Sequence, residues 1–300
     1  MSARVDVVVI GGGPAGLSAA LVLGRCRRKV LLIDSGEYRN AVSPAMHGFL
    51  SRDGLDPSEL RRIGREQLEM YPSVEIRQST VVGANRAEDG YTLDLADGDV
   101  VTSRFLLLAT GVVDRLPELE GAAALFGRGV FQCPYCDAYE VADRQFVAYG
   151  CGSQGMDLAL ELTTWSGHVM LCTDGPSGLS AIERERLAAN DIAVDERRIA
   201  RLAGADRLRA VVFRDGSSTE CAALFFLTHQ RQRSELAAQL GCQFTDDDAV
   251  ATDEHEATCV PGLYVAGDAS RDVQFAIVAA AEGAEAAAAI NTALHRAELA

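Results

Sequence analysis

A strand, a glycine turn, a helix and a second strand at residues 5–34, and the same grammar again at 145–174, predict an α/β chain carrying two Rossmann-like dinucleotide-binding modules. A length of 300 residues leaves room for two domains with a core each. Hydrophobic residues make up 48% and charged residues 24%, the balance of a globular protein without a disordered block.

The first module reads as a strand at Val5–Ile10, a turn at Gly11-Gly12-Gly13-Pro14, a helix over 13–26 and a strand at Val30–Asp34. A helix is expected over 57–70, then alternating strands over 74–82 and 91–95. The turn signals Asp89-Gly90 and Asp97-Gly98 fold these strands into a meander, and an apolar strand follows at 105–108. The second module reads as a strand at 145–149, the turn Gly150-Cys151-Gly152-Ser153-Gln154-Gly155, a helix over 156–166 and a strand at 168–172, with a hairpin at Asp215-Gly216. A strand at 262–266 and an alanine-rich helix from about 274 to the end complete the chain.

A net charge of −15 with scattered Lys and Arg argues against nucleic acid, whose phosphates need a basic stripe. Apolar runs such as 105–109 fall far short of the ~20 residues that span a bilayer, so no membrane span is expected. Val5–Ile10 runs straight into the glycine turn without a cleavage site, which makes it a strand and the cytoplasm the expected location. Of eight cysteines only Cys133 and Cys136 lie close together. Cys26, Cys151, Cys172, Cys221, Cys242, Cys259 and Trp165 are expected to pack without a chemical role.

Two motifs carry chemistry. Gly11-x-Gly13-x-x-Gly16 lies between a strand and a helix, with Asp34 closing the next strand. The glycines let the backbone approach a pyrophosphate at the helix N-terminus, and the acid accepts a ribose hydroxyl. The second motif is Cys133-Pro134-Tyr135-Cys136, followed by Asp137. Two cysteines three apart at a helix start can close a disulfide, and the helix dipole favours the thiolate. Half of a zinc site is the competing reading, but four ligands are needed and the chain has no second CxxC or HxxxH, so no metal is assigned.

Together with Ala109-Thr110-Gly111 and Tyr264-Val265-Ala266-Gly267-Asp268, these motifs resemble the low-molecular-weight thioredoxin reductase type of FAD-dependent pyridine nucleotide-disulfide oxidoreductase over nearly the whole chain. The resemblance implies two three-layer ββα domains, the second inserted in the first. An FAD domain would take 1–115 and 240–300, and an NAD(P)H-type domain with the dithiol would take 116–239. Hinges would fall at 114–118 and 231–237. It implies FAD held by Gly11, Gly13, Pro14, Ala15, Gly16, Asp34, Asn40, Val82, Ala109, Thr110, Gly111, Gly267, Asp268, Gln274, Phe275 and Ala276. His47 joins this set, with a structural role in its loop as the alternative.

The same resemblance implies Cys136 as the thiol that attacks the flavin, Cys133 as the one that exchanges with an external disulfide, and Asp137 as the proton shuttle. The alternative for Asp137 is a helix-start residue. An ordinary aspartate titrates near ~3.9, so donating a proton at neutral pH requires a rise of ~3 pH units, or ~4 kcal/mol, which burial can supply.

The nicotinamide site departs from the pattern. Gly150, Gly152 and Gly155 can accept a pyrophosphate, but the segment Cys172-Thr173-Asp174-Gly175-Pro176-Ser177-Gly178 lacks an Arg or Lys for the 2′-phosphate of NADPH. Each lost charge-assisted contact costs ~1.5–3 kcal/mol. Asp174 would suit the unphosphorylated ribose of NADH. The glycine-containing motif expected at the last strand of this module is also replaced, by Phe226-Leu227-Thr228-His229-Gln230.

The leading expectation is reduction of a thioredoxin-like protein disulfide, since thioredoxin near −270 mV lies within reach of reduced flavin, and the resemblance implies a homodimer. Met46-His47-Gly48-Phe49 and Asp53-Gly54 resemble a branch whose relatives include oxidases that close disulfides in small dithiols with dioxygen. A non-enzymatic redox sensor is the third expectation.

Overall fold

The computed structural model describes residues 4–271 and 273–299. The chain divides into two compact units. One comprises Met1–Ala41, Gly48–Val113 and Gln230–Ala300; the other comprises Val42–His47 and Asp114–His229.

The first unit contains β1 (Val5–Ile10), α1 (Pro14–Arg25), β2 (Val30–Asp34), α2 (Pro57–Leu68), β3 (Val74–Gln78), β4 (Val81–Ala87), β5 (Gly90–Leu95) and β6 (Val100–Leu108) before the chain leaves it through β7 (Val112–Asp114). The strands β3-β2-β1-β6 run parallel in that order, β17 (Leu263–Val265) adds to β6 in parallel, and β4 and β5 continue from β6 as an antiparallel meander. Strand alternation divides the core between two faces. Val7, Val9, Val30, Leu32 and Leu107 pack with α1, Leu68 and the C-terminal helix, whereas Val8, Ile10, Leu31, Ile33, Leu106 and Leu108 pack with Tyr91, Leu93, Leu95 and Val101 of the meander. These are the three layers that the sequence predicts.

The second unit contains α3 (Ala122–Leu125), β8 (Val130–Phe131), α4 (Pro134–Asp137), a 3₁₀ turn at Tyr139–Val141, β9 (Phe146–Tyr149), α5 (Gly152–Leu162), β10 (Val169–Cys172), α6 (Ala181–Ala188), β11 (Ala193–Asp195), β12 (Ile199–Ala203), β13 (Ala210–Phe213), β14 (Ser218–Glu220) and β15 (Ala223–Phe226). Its parallel sheet has the order β11-β10-β9-β15-β8, and β12-β13-β14 form a separate antiparallel sheet. Helix α5 starts at the glycine turn itself, earlier than its apolar pattern suggests.

The chain returns to the first unit through β16 (Gln230–Gln232), which pairs with β7. This crossing precedes the boundary expected at 239/240. Leu236 and Ala237 of α7 (Leu236–Gln239) are buried in the same core as Val81, Leu93 and Val250, which fixes this stretch in the first unit.

Helix α8 (Ala276–Leu299) is long enough and apolar enough to cross a bilayer by length and composition, a property that no single run of large apolar residues announces. Its Ala279, Ala286, Ala287, Ile290 and Leu294 are buried in the α1 core. A β-carbon on Gly283 would lie 2.0 Å from the carbonyl oxygen of Ala15, so the two helices approach where only glycine fits. Gly283→Ala is therefore expected to force α1 and α8 apart. The loss should be about 1–3 kcal/mol, read as a lowered Tm, and an unchanged Tm would contradict the contact.

Candidate active site

In the first unit, Gly11 leaves β1 with φ +113, and a β-carbon there would lie 2.2 Å from the Ala109 carbonyl oxygen; one on Gly16 would lie 1.8 Å from the Gly11 carbonyl oxygen. Backbone occupies the side-chain volume at both positions. Gly13 differs: a β-carbon there meets nothing within 4 Å. It is the N-cap of α1, with Pro14 at the first helical position, Ala15 buried behind it and no side-chain capping bond. The first amides of a 12-residue helix are thus left for a ligand, the arrangement that accepts a diphosphate. Gly111, after Ala109 and Thr110 at the end of β6, has φ +66 and also meets nothing within 4 Å. These cradles fit FAD.

Asp34 ends β2 and is 3% exposed. Its Oδ2 accepts hydrogen bonds from the Tyr38 hydroxyl and the Arg65 guanidinium, and its Oδ1 accepts from the Gly36 amide at 3.2 Å. Among the described residues three donors reach this carboxylate, out of about four acceptor positions, which is compatible with a further ribose hydroxyl. Arg61, one turn before Arg65 on α2, lies 3.8 Å from the Tyr38 ring centroid and donates to Asn40 Oδ1 at 3.2 Å.

Gly267 follows β17 with φ +84, and its β-carbon position lies 3.1 Å from Ala15 Cβ, which sets Gly267 and Asp268 against the first turn of α1. Arg39 Nη1 donates to Asp268 Oδ2 at 2.8 Å and to Gln274 Oε1 at 2.6 Å, and Gln274 Nε2 donates to Gln230 Oε1 at 2.6 Å. Phe275 and Ala276 follow directly into α8. The Gly267 amide donates to Glu282 Oε2 at 2.7 Å, and burial pushes the Glu282 carboxyl up to about 7. Val82 lies on β4 with 57% exposure.

In the second unit, Cys133 and Cys136 form a disulfide, with Cα atoms 5.3 Å apart. Helix α4 is a single turn, so the dipole of a long helix is not available to either sulfur, contrary to the expectation from sequence. Packing fixes this turn instead: Pro134 and Ala138 are buried, and the Tyr135 ring meets Trp165 edge-on at 5.2 Å between centroids. The Asp137 carboxyl is pushed up to about 6, first by burial and then by the negative charge of Glu140, with His47 opposing. His47, expected beside the flavin, belongs to this unit, and its Nε2 lies 3.3 Å from Glu140 Oε1. The other buried cysteines contrast with the pair: burial pushes the Cys172 and Cys221 thiols up to about 12, which keeps them unreactive. Among the described residues no group of three or more His, Cys, Asp or Glu is placed to hold a metal.

The second glycine turn packs closely, a β-carbon on Gly155 lying 2.7 Å from the Gly150 carbonyl carbon. The Gly152 amide, first of α5, donates to the Ser177 carbonyl at 2.7 Å. Asp174, expected to hold a ribose, has φ +51, and its Oδ1 accepts from the Ile199 amide at 2.6 Å. Arg198 donates to the Asp174 carbonyl, and its guanidinium covers Gly175, whose β-carbon would lie 2.8 Å from Cζ. A cation absent from the segment 172–178 is thus brought to it from the residue before β12. Tyr38, Arg39, Arg61, Arg65, Glu140, Arg198 and Glu282 were missed by motif reading; only the i,i+4 spacing of Arg61 and Arg65 offered a local signal.

An open diphosphate cradle in one unit and a Cys-x-x-Cys disulfide in the other define a flavoprotein dithiol/disulfide oxidoreductase. A family profile described as pyridine nucleotide-disulphide oxidoreductase matches residues 5–283, and the chain belongs to that family, an enzyme of the low-molecular-weight thioredoxin reductase-like kind. The thioredoxin reductases of this family use FAD with NAD(P)H as the electron donor. The chain is 32% identical over 279 residues to thioredoxin reductase tcpT of Claviceps purpurea, covering 88% of this chain and 86% of that one. It is 34% identical in sequence to a solved oxidoreductase from Agrobacterium tumefaciens, with a TM-score of 0.91 over 97% of this chain and 99% of the other. With the crystal structure of HlmI it shares 36% identity and a TM-score of 0.94, covering 100% of this chain and 95% of that one.

Glu282 supplies a test of the Gly267–Asp268 turn. Its folded carboxyl is raised above the ordinary value of 4.5, so the folded state binds the proton more tightly and stability falls as pH rises from there to about 7. Glu282→Gln keeps an acceptor for the Gly267 amide and removes the charge. Its Tm should match the native protein at the acid end of this window and exceed it above the window. A difference independent of pH would refute the assignment.

Proposed function

We propose that the chain reduces the disulfide of a thioredoxin-like protein through Cys133 and Cys136. The observation that carries this reading is a closed disulfide on a packed turn, followed directly by a carboxyl that burial pushes up to about 6. Asp137 is therefore protonated far more often near neutral pH than an ordinary aspartate and can give its proton to the adjacent Cys136 thiolate. Tyr135 and Tyr139, exposed by 65% and 79%, flank the dithiol with aromatic surface suited to a protein partner.

FAD, held at Gly11, Gly13, Gly16, Gly111 and Asp268, supplies two-electron exchange with the disulfide when bound. Arg198 beside Gly175 supports NADPH over NADH as the donor, because its guanidinium can take a 2′-phosphate where the local segment has no cation.

A second reading has a specific observation in its favour. The Ser177 carbonyl occupies the first amide of α5, one of the donors a nicotinamide dinucleotide would use. Electrons would then enter from a small dithiol substrate, which closes to a disulfide, while dioxygen is reduced to hydrogen peroxide.

Anaerobic mixing of the flavin-loaded protein with NADPH and then NADH separates the two. Bleaching of the flavin absorbance by NADPH, with an affinity about tenfold weaker in Arg198→Ala and unchanged for NADH, supports the reductase. No bleaching by either, with peroxide formed from a dithiol in air, supports the oxidase. In both cases Cys136→Ser should abolish turnover; retained activity would end the dithiol reading altogether.

A further inference from the structure

The segment Val42–His47 lies between β2 and α2 in the sequence, within the FAD-type module, yet it packs as part of the dithiol unit. Gly127 makes room for it: with φ +73, a β-carbon there would lie 3.0 Å from the Val42 carbonyl oxygen and 3.2 Å from Val42 Cγ2. At the far end of the segment, His47 meets Glu140 at 3.3 Å. Glu140 lies in the 3₁₀ turn directly after α4, one turn beyond Asp137, and Asp137 is bonded in sequence to Cys136. Glu140 and His47 are the charged groups that act on the Asp137 carboxyl, with opposite signs. Their side chains are 43% and 23% exposed, so the cluster is open to solvent, and Asp137 beside it is half-buried.

We propose that His47 is a positioning residue of the dithiol reaction: with Glu140 it sets the charge around Asp137, and so the pH range in which that carboxyl hands a proton to the Cys136 sulfur. The inference rests on the dithiol reading of Cys133 and Cys136 given above.

The step balances as thiol–disulfide exchange. An incoming thiolate bonds to Cys133 Sγ, the Cys133–Cys136 bond breaks, and its electron pair stays on Cys136 Sγ. The Asp137 carboxyl neutralises that thiolate and becomes a carboxylate. The second thiol of the incoming dithiol then loses its proton to solvent and bonds to the first sulfur of that dithiol, displacing Cys133 Sγ, which takes a proton from solvent; the incoming dithiol is oxidised and the enzyme disulfide is reduced. His47 opposes Glu140 and eases ionisation of Asp137, whereas the Glu140 carboxylate holds the proton on it.

Single-turnover reduction of the purified, flavin-loaded protein by dithiothreitol tests this without a physiological substrate. Rates are followed by alkylation of the released thiols and divided by the thiolate fraction of the reagent at each pH. The corrected rate should fall as pH rises through the Asp137 midpoint, and Asp137→Asn should remove that transition. His47→Gln should move the midpoint up by about half a pH unit, roughly a threefold change in the protonation equilibrium. Glu140→Gln should move it down, and His47→Arg, which keeps the cation, should restore it. A purely structural His47 would lower the rate in both His47 variants and leave the midpoint in place, which overturns the proposal. A native disulfide that dithiothreitol does not reduce would instead bring down the dithiol reading itself.

Discussion

Close backbone approach at positions where a β-carbon does not fit holds this enzyme together. The Ala109 carbonyl oxygen fills the side-chain volume of Gly11, the Gly11 carbonyl oxygen fills that of Gly16, and the Ala15 carbonyl oxygen fills that of Gly283. β1, β6, α1 and α8 converge through these three contacts on one end of the parallel sheet. The same device recurs in the second unit, where Gly150 and Gly155 meet at the start of α5. Because side chains are excluded, backbone amides at the start of α1 remain available to an anion.

Charge is organised around that cradle. Three arginines serve it from outside the glycine motif: Arg65 on Asp34, Arg61 on Tyr38 and Asn40, and Arg39 between Asp268 and Gln274. A chain with net charge −15 thus concentrates guanidinium groups where a dinucleotide would bring negative charge. The Arg65 guanidinium, with the Tyr38 hydroxyl and the Gly36 amide, keeps a carboxylate that is 3% exposed from standing alone.

At the dithiol, no long helix dipole favours the thiolate, and burial acts instead on the neighbouring carboxyl, raising Asp137. With α4 only one turn long, the local electrostatics come from the half-buried Asp137 carboxyl, its neighbour Glu140 and the opposing His47. The buried thiols of Cys172 and Cys221, pushed up to about 12 first by burial, show how the same desolvation silences a cysteine. Reactivity here follows from which groups surround the sulfur.

Local sequence determined the two βαβ modules, the glycine turns and the Cys-Pro-Tyr-Cys pair, because strand alternation, glycine sterics and short spacing all act within a few residues. Val5–Ile10 and Val30–Asp34 were legible to the residue for that reason. Tertiary structure alone decided that Val42–His47 joins the dithiol unit, that Arg198 covers Gly175, and that Asp34 and Asp174 are already engaged by Arg65 and the Ile199 amide. Each of these contacts joins groups that the backbone separates by a strand or a helix, and no periodicity or motif encodes a distance that only packing closes.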